Sequence, residues 1–267
     1  MPAAGASVKF AVIGDGGRGS AEQHAVALAM AGYHQRFPFP LVLMVGDNIY
    51  EGPASPEDYR RKFEDPYRAL REAGVRFQAV LGNHDDPAQR FYAGFNMRGQ
   101  RYYTFEPPGP PLARLGDLVR IFALDSTNVD AAQVAWLDRE LGRSRAVWKI
   151  CMLHHPMYTG GRYASSALLM RWQLESLLLT HGVHVVFSGH EHFYQRSTPQ
   201  QQVVHFISGA AGSLRNGDAT SGSAVARAFD RDYHFMLCEI IGEALHFQAI
   251  TRAGVTVDAG IIGLVRA

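Results

Sequence analysis

The stretch LVLMVGDNIY, residues 41–50, joins a run of five apolar residues to a short polar turn. The apolar run favours a buried β-strand, and Gly46 marks the point where this strand ends in a turn. The turn presents Asp47 and, three residues later, Tyr50. Four other polar clusters also follow apolar runs directly, so the same pattern of strand and polar turn occurs five times along the chain.

This repeated pattern extends over most of the sequence. The other four polar clusters are GDGGRG at residues 14–19, GNHDDP at 82–87, HHP at 154–156 and SGHEH at 188–192. The apolar runs that precede them are predicted strands at residues 8–13, 75–81, 147–153 and 183–187. Further strands are predicted at 102–105, 118–124 and 203–207, with a C-terminal hairpin at 234–241 and 244–250.

Helices are predicted between the strands, at residues 22–36, 56–73, 131–141 and 165–180. Pro66 interrupts the second helix, whose Arg60-Arg61-Lys62 run is expected on a solvated face. Strands alternate with helices early in the chain and pair with each other late, which predicts an α/β sandwich of mixed β-sheets flanked by helices. In such folds, polar residues beyond the C-terminal ends of strands converge in one crevice. No Ser- or Pro-rich linker interrupts the sequence, so residues 1–267 are predicted to form a single domain.

The composition limits the partners and the location that the sequence predicts. Of the 267 residues, 47% are hydrophobic, which is enough for one large core. The net charge is +1 and the basic residues are scattered, so no nucleic acid partner is expected. No apolar run approaches the roughly 20 residues that span a bilayer. The first ten residues resemble no signal peptide, so the chain as written is expected in the cytoplasm, or exported if a leader has been removed. Cys151 and Cys238 lie in apolar runs and are predicted to be buried free thiols.

The side chains at the strand ends are oxygen and imidazole donors without cysteine. They are Asp15, Asp47, Tyr50, Asn83, His84, His154, His155, His190 and His192. Such donors suit Fe, Mn or Zn better than a structural zinc site. His190 and His192 are two residues apart, so both project to the same side of an extended segment and reach two neighbouring metal ions. Asp47 is the best candidate for the carboxylate that bridges these two ions.

One alternative interpretation concerns the glycine-rich cluster at residues 14–19. It fits the pattern G-x-G-x-x-G between a strand and a helix, which is the fingerprint of dinucleotide binding. That fingerprint also expects an acidic residue about 20 positions later, and residues 33–45 contain none. The Asp15 carboxylate would in addition repel a pyrophosphate, so the sequence disfavours a dinucleotide site.

The five clusters, taken in order, resemble a known family. GDGG, GDNIY, GNHD, MLHHP and GHEH look like the five metal-binding blocks of the purple acid phosphatases, which are calcineurin-like metallophosphoesterases. The runs RYYTF at 101–105, ALDS at 123–126 and FISGAAGS at 206–213 are similar as well, so the resemblance covers roughly residues 8–250. Each motif alone is modest, but five in this order at strand ends are highly specific.

The resemblance implies a set of ligands for two metal ions. Fe(III) would be held by Asp15, Asp47, Tyr50 and His192, and Fe(II), Zn(II) or Mn(II) by Asp47, Asn83, His154 and His190. A phenol has a pKa near 10, so only a strongly Lewis-acidic ion deprotonates it near neutrality. Tyr50 therefore favours a ferric ion, unless its ring only packs on the turn.

The resemblance also implies an activity. It predicts an acid phosphatase, a phosphomonoesterase in which a metal-bound hydroxide attacks the phosphorus of a small phosphate ester in line. The enzymatic alternative is a phosphodiesterase acting on nucleotides or phospholipid head groups, and a third possibility is a binding module without catalysis. The sequence does not predict the natural substrate or the oligomeric state.

Several residues beside the ligands receive predicted roles. Asn83 and His84 are expected to bind the phosphate and His84 to protonate the leaving group, unless His84 only supports its loop. As neighbour of a ligand on a strand, His155 is expected to face away and to pack or support the centre, and Asp125 to orient a histidine. The loop at 158–163 lacks the histidine of mammalian-type and plant-type members and is too short for a bulky lid. In its place Arg162, with two tyrosines, is predicted to contact the substrate.

Overall fold

The computed structural model describes residues 7–108 and 118–264. Within these residues the strands are β1 (Ser7–Ile13), β2 (Leu41–Met44), β3 (Arg76–Ala79), β4 (Tyr103–Phe105), β5 (Val119–Ala123), β6 (Trp148–Met152), β7 (Val185–Ser188), β8 (Tyr194–Ser197), β9 (Val204–Ser208), β10 (Val225–Phe229), β11 (His234–Ile241), β12 (Ala244–Thr251) and β13 (Thr256–Gly263). The helices are α1 (Ala21–Arg36), α2 (Pro56–Tyr59), α3 (Arg68–Glu72), α4 (Ala131–Arg143) and α5 (Ala164–Thr180).

The strands form two mixed sheets. The first has the order β13-β12-β11-β1-β2-β3, and the second has the order β10-β8-β9-β7-β6-β5-β4. β1, β2 and β3 run parallel, as do β5, β6, β7 and β9, while the outer strands pair antiparallel. The C-terminal ends of the parallel strands carry the polar clusters, because these strands lead into the five turns described above or, for β5 and β9, into the ALDS and FISGAAGS runs.

The apolar core lies between the two sheets. Phe10 of the first sheet meets Phe187 of the second with ring centroids 5.8 Å apart, and Phe206 and Phe247 meet at 5.0 Å. All four side chains are buried, and burying an aromatic ring of this size contributes roughly 1.5–3 kcal/mol. The outer faces are covered by α1 on the first sheet and by α4 and α5 on the second. The predicted α/β sandwich of mixed sheets flanked by helices is thereby confirmed.

Some details differ from the sequence-based expectations. The segment predicted as one helix at residues 56–73 is split into α2, a π-helical turn at Arg60–Glu64, and α3, which begins two residues after Pro66. Strands β8, β10 and β13 were not predicted, since edge strands such as β10 and β13 are half exposed and lack a continuous apolar run. Residues 109–117, between the predicted strands at 102–105 and 118–124, lie outside the described part of the chain. Cys151 and Cys238 are buried free thiols, as predicted.

Candidate metal centre

Three of the predicted ligands lie in sharp turns with left-handed backbone conformation. The φ angles are 56° at Asp15, 51° at Asp47 and 68° at His190. Residues other than glycine rarely adopt this conformation, which costs of order 1–3 kcal/mol and is found mainly at functional sites. Each turn directs its side chain from the end of a strand into the crevice between the two sheets.

Two glycines let the turn after β2 approach the turns after β1 and β6 closely. A side chain on Gly17 would place its Cβ 2.0 Å from the Asn48 carbonyl oxygen, and one on Gly46 would lie 2.5 Å from His154 Nδ1. The Gly17 N–H donates to the Asp47 carbonyl and the Tyr50 N–H donates to the Gly17 carbonyl. Gly17 of the GDGGRG cluster is therefore explained by this contact between two loops, without a bound dinucleotide.

The first sheet contributes two buried carboxylates and a tyrosine. Asp15 is 0% exposed and Asp47 is 1% exposed. The Tyr50 hydroxyl lies 3.4 Å from Asp15 Oδ1 and 3.2 Å from His192 Nε2. The backbone N–H of His84 donates to Asp47 Oδ1 over 3.0 Å, which fixes the loop after β3 against this carboxylate.

The second sheet contributes three histidines that face these carboxylates. His154 Nε2 lies 3.0 Å from Asn83 Oδ1 and 3.4 Å from Asp47 Oδ1. Its Nδ1 lies 2.9 Å from the carbonyl oxygen of Val45, an acceptor, so Nδ1 carries the proton and Nε2 is left for a metal ion. His192 Nε2 lies 3.3 Å from Asp15 Oδ1.

His190 completes the set of predicted ligands. Its backbone N–H donates to Asp15 Oδ2 over 2.9 Å, and its ring centroid lies 5.1 Å from that of His154. The structure thus brings together all seven side chains that the sequence predicts as ligands. Two groups of side chains have donor atoms within 4.8 Å of one another, and His154 belongs to both. One group is Asp15, Asp47 and His154, and the other is His154, His155 and His190.

The electrostatics of these groups fit a pair of cations. Burial, and after it the charge of Asp47, raises the pKa of Asp15 well above its usual range. Burial likewise disfavours the charged form of Asp47, but its contacts with His154 and His84 outweigh this and lower its pKa. Burial, followed by the charge of Arg215, lowers the pKa of His192 to about 4, which keeps the ring neutral as metal ligands require. The buried carboxylates of Asp15 and Asp47 have only histidines as ion-pair partners among the described residues. A cation would therefore stabilise this site.

Tyr50 is strongly disfavoured as a phenolate in these surroundings. Burial, and then the charges of Asp15 and Asp47, raise its pKa far above the usual value of 10. Deprotonation of Tyr50 therefore requires a cation of high charge against its oxygen.

The position of His155 differs from the expectation. Its ring does not face away but lies 5.1 Å from the ring of His154 and 4.4 Å from that of His190. β6 ends at Met152, so residues 154 and 155 lie in a turn, where side chains do not alternate between two faces. Burial, and then the charge of His154, lower the pKa of His155 to about 4. Its predicted supporting role remains a prediction.

Ser126 holds this histidine turn and was missed by the sequence-based reasoning. Its Oγ accepts the backbone N–H groups of His154 and His155 over 3.1 and 2.9 Å and lies 3.0 Å from His155 Nδ1. The neighbouring Asp125, which was expected to orient a histidine, instead accepts hydrogen bonds from Arg101 and Thr127. A serine beside a predicted aspartate gives no signal in the sequence, because its role depends on contacts between two strands.

Lys62 is a second residue that sequence reasoning placed wrongly. It was expected on a solvated face but is only 2% exposed. Its Nζ donates to the Tyr50 carbonyl oxygen over 2.6 Å and lies 3.0 Å from Asp58 Oδ1. The π-helical turn directs this one lysine inward, whereas its neighbours Arg60 and Arg61 remain about half exposed.

The residues predicted to contact the substrate lie around the opening of the centre. Asn83 and His84 are exposed, and the ring of His84 lies 5.0 Å from that of Tyr50. Arg162 is 54% exposed and forms an ion pair with Asp218 over 2.6 Å, so part of its charge is already neutralised. The loop that carries Arg162 also places the ring of Tyr163 4.2 Å from that of His190.

A sandwich of two mixed sheets, with buried carboxylates and imidazoles at the C-terminal strand ends, defines the class of metal-dependent phosphoesterases. A sequence model of the calcineurin-like phosphoesterase family matches residues 8–194, and the chain belongs to this family. Within the family it is purple-acid-phosphatase-like, as the sequence predicts.

Individual proteins are similar to this chain in sequence or in fold. Purple acid phosphatase 17 of Arabidopsis thaliana is 25% identical over 90% of this chain and 83% of its own length. The fold is similar to that of GAP50, the anchor in the inner membrane complex of Plasmodium, with a TM-score of 0.82, 16% identity, and coverage of 97% of this chain and 90% of that chain. The purple acid phosphatase PPD1 from yellow lupin seeds has a TM-score of 0.75, 15% identity, and coverage of 98% and 55%.

Among residues 7–108 and 118–264, no helix combines the length and apolar character needed to cross a bilayer.

Proposed function

We propose that this protein is an acid phosphatase that hydrolyses small phosphomonoesters with the help of two metal ions. The family acts on phosphate esters, and the observation that supports the proposal is the convergence of donors from both sheets. The carboxylates of Asp15 and Asp47 and the amide of Asn83 follow strands of the first sheet. They face three histidines of the second sheet, which are His154, His190 and His192. Such a set of oxygen and imidazole donors without cysteine suits a pair of catalytic metal ions.

The two ions are proposed to differ. Fe(III) would be held by Asp15, Asp47, Tyr50 and His192, and Fe(II), Zn(II) or Mn(II) by Asp47, Asn83, His154 and His190. Because burial and two nearby carboxylates raise the pKa of Tyr50, its coordination as a phenolate would require the more highly charged ferric ion, since a divalent ion offers less charge to stabilise it. When bound, the two ions supply an acidified water molecule and positive charge for the phosphoryl oxygens.

His84 is proposed to protonate the leaving alkoxide. Its backbone N–H is fixed to Asp47, while its side chain is exposed at the opening of the centre, where the leaving group departs. The alternative role, support of the loop, is filled by Asp85, whose buried carboxylate accepts from the Asn48 side chain and from the backbone N–H groups of Ile49 and Gly82. The exposed amide of Asn83 is proposed to bind the phosphate beside His84.

The test is a parallel assay of the metal-loaded protein on an aryl phosphate and on the corresponding bis(aryl) phosphate. We expect a higher kcat/KM for the monoester. A higher kcat/KM for the diester would favour the phosphodiesterase alternative. A protein with two stoichiometric metal ions and no turnover of either ester would show that the fold serves binding alone.

A further inference from the structure

Arg18 and Arg215 lie beside the metal centre. Neither forms an ion pair with a carboxylate among the described residues. Arg18 Nε donates to Ser213 Oγ over 2.9 Å, and its guanidinium carbon lies 3.6 Å above the ring of Tyr50. The guanidinium carbon of Arg215 lies 5.2 Å from the ring centroid of Tyr163. Both cations are half-buried, so they are partly removed from water without a fixed counter-charge.

Several arginines elsewhere in the described structure are neutralised by acidic partners. The ion pairs between these arginines and carboxylates are Arg60–Asp65, Arg101–Asp125, Arg120–Glu106, Arg162–Asp218, Arg196–Asp258 and Arg252–Asp232. Arg215 differs in a second respect, because its Nη1 is buried without a hydrogen-bond partner in the described structure. A buried donor without an acceptor costs roughly 1–3 kcal/mol, which a ligand that supplies an acceptor would recover.

The two arginines lie on the same side of the centre. The segment from Ser213 to Arg215 connects them, since Arg18 binds the Ser213 side chain and the Arg215 N–H donates to the His192 carbonyl over 3.0 Å. Arg18 thereby stacks on the ring of one predicted ligand, Tyr50, and the backbone of Arg215 is hydrogen-bonded to another, His192.

We propose that Arg18 and Arg215 form a subsite that binds a second anionic group of the substrate, next to the phosphoryl group at the metal centre. This inference rests on the proposed function. Two metal ions already make the site cationic, so two further unpaired guanidinium groups beside them repel that charge until a polyanion binds. Guanidinium groups favour phosphate and carboxylate through charge-assisted hydrogen bonds. The favoured substrates are thus phosphate esters that carry a second phosphate or a carboxylate.

The experiment measures binding of non-hydrolysable ligands to the metal-loaded protein by calorimetry. The ligands are methylphosphonate with one anionic group, methylenediphosphonate with two, and phosphonoacetate with a phosphonate and a carboxylate. We expect methylenediphosphonate to bind at least about tenfold tighter than methylphosphonate, because one charge-assisted hydrogen bond contributes about that factor. A comparable gain for phosphonoacetate would assign the subsite to carboxylates as well, and no gain for it would assign the subsite to phosphates.

Variants of Arg215 separate the subsite from binding of the ligands to the metal ions alone. Arg215→Ala should lower the affinity for methylenediphosphonate about tenfold and leave that for methylphosphonate nearly unchanged, while Arg215→Lys should retain part of the advantage. Arg145→Ala is the matched control, because Arg145 is exposed and precedes β6 at the opposite end of the strand from His154. Elemental analysis of each variant verifies that both metal ions are present.

Equal affinities of the unmodified protein for methylphosphonate and methylenediphosphonate would overturn the inference. An undiminished advantage of the second ligand in a fully metal-loaded Arg215→Ala or Arg215→Gln protein would overturn it as well. Because the phosphonates are not hydrolysed, these results are independent of turnover. Failure of the subsite is thereby distinguished from failure of the proposed phosphatase activity.

Discussion

At the scale of single residues, the centre depends on side chains whose charge is unfavourable without a cation. Asp15 and Asp47 are buried next to each other, and the neutral form of Tyr50 is strongly favoured beside them. The sequence was sufficient to predict that these residues lie together, because each follows an apolar strand in a turn with glycine. It was not sufficient for Ser126 or for the orientation of His155, which depend on a contact between β5 and the turn after β6.

Tyr50→Phe tests the ferric site. The iron-loaded protein is expected to show a phenolate-to-iron absorption band in the visible range, and the variant should lose this band while it retains part of the activity. The reason is that phenylalanine keeps the ring between Arg18 and His84 but removes the oxygen. Absorption spectra of both proteins at equal iron content provide the measurement, and a colourless parent protein with two oxidised irons would contradict the assignment.

Asp47→Asn tests the bridge between the two ions. The amide keeps the size of the side chain but removes the negative charge that both ions would share. We expect the occupancy of both sites to fall, as measured by elemental analysis after dialysis. A variant that loses one ion and keeps the other in full amount would show that Asp47 binds a single ion.

At the scale of secondary-structure elements, the turns of the first sheet are fixed by parts of the chain that hold no predicted ligand. The π-helical turn between α2 and α3 inserts Lys62 beneath the turn after β2, and Gln23 of α1 donates to the Lys62 carbonyl oxygen over 2.7 Å. The sequence of residues 56–73 predicts helical structure, but neither its division into separate helices nor the wider π-helical turn that directs Lys62 inward. Irregular turns of this kind are set by tertiary contacts and occur frequently at functional sites.

Lys62→Met is expected to destabilise the protein by about 2–4 kcal/mol, because it removes two charge-assisted contacts of a buried group. The methionine keeps the apolar stem, so the loss reports on the ammonium group. Urea unfolding at neutral pH provides the measurement. Arg61→Met is the matched control in the same turn, and since Arg61 is 48% exposed and 3.8 Å from Asp58, we expect a change within about 0.5 kcal/mol. Equal effects of the two substitutions would contradict the role of Lys62.

At the scale of the whole molecule, the sandwich buries histidines that do not belong to the centre. His205 and His234 are 4% and 0% exposed, and burial lowers the pKa of each to about 3. Neither ring nitrogen of His234 has a hydrogen-bond partner within the described residues. Strand patterns predict that positions in β9 and β11 are buried, but they do not indicate why a polar ring is tolerated there.

These two histidines predict how stability depends on pH. An unfolded histidine has a pKa of about 6.5, so between pH 6.5 and 3 the unfolded chain binds more protons than the folded protein. Stability is therefore full above pH 6.5 and falls with decreasing pH, by about 1.4 kcal/mol per pH unit for each histidine. His234→Gln should reduce the loss between pH 7 and pH 4.5 in urea unfolding. His24→Gln, at an exposed position of α1, should leave it unchanged, and a loss unaffected by either substitution would contradict this explanation.

The division of the predicted ligands between the two sheets has a further consequence for how the protein matures. Asp15, Asp47 and Asn83 follow strands of the first sheet, whereas His154, His190 and His192 follow strands of the second. A folding intermediate with only one sheet in place therefore holds half a coordination sphere and retains metal poorly. We therefore expect both ions to be incorporated late in folding, after the two sheets have stacked correctly. The bound ions then cross-link the two sheets and slow their separation.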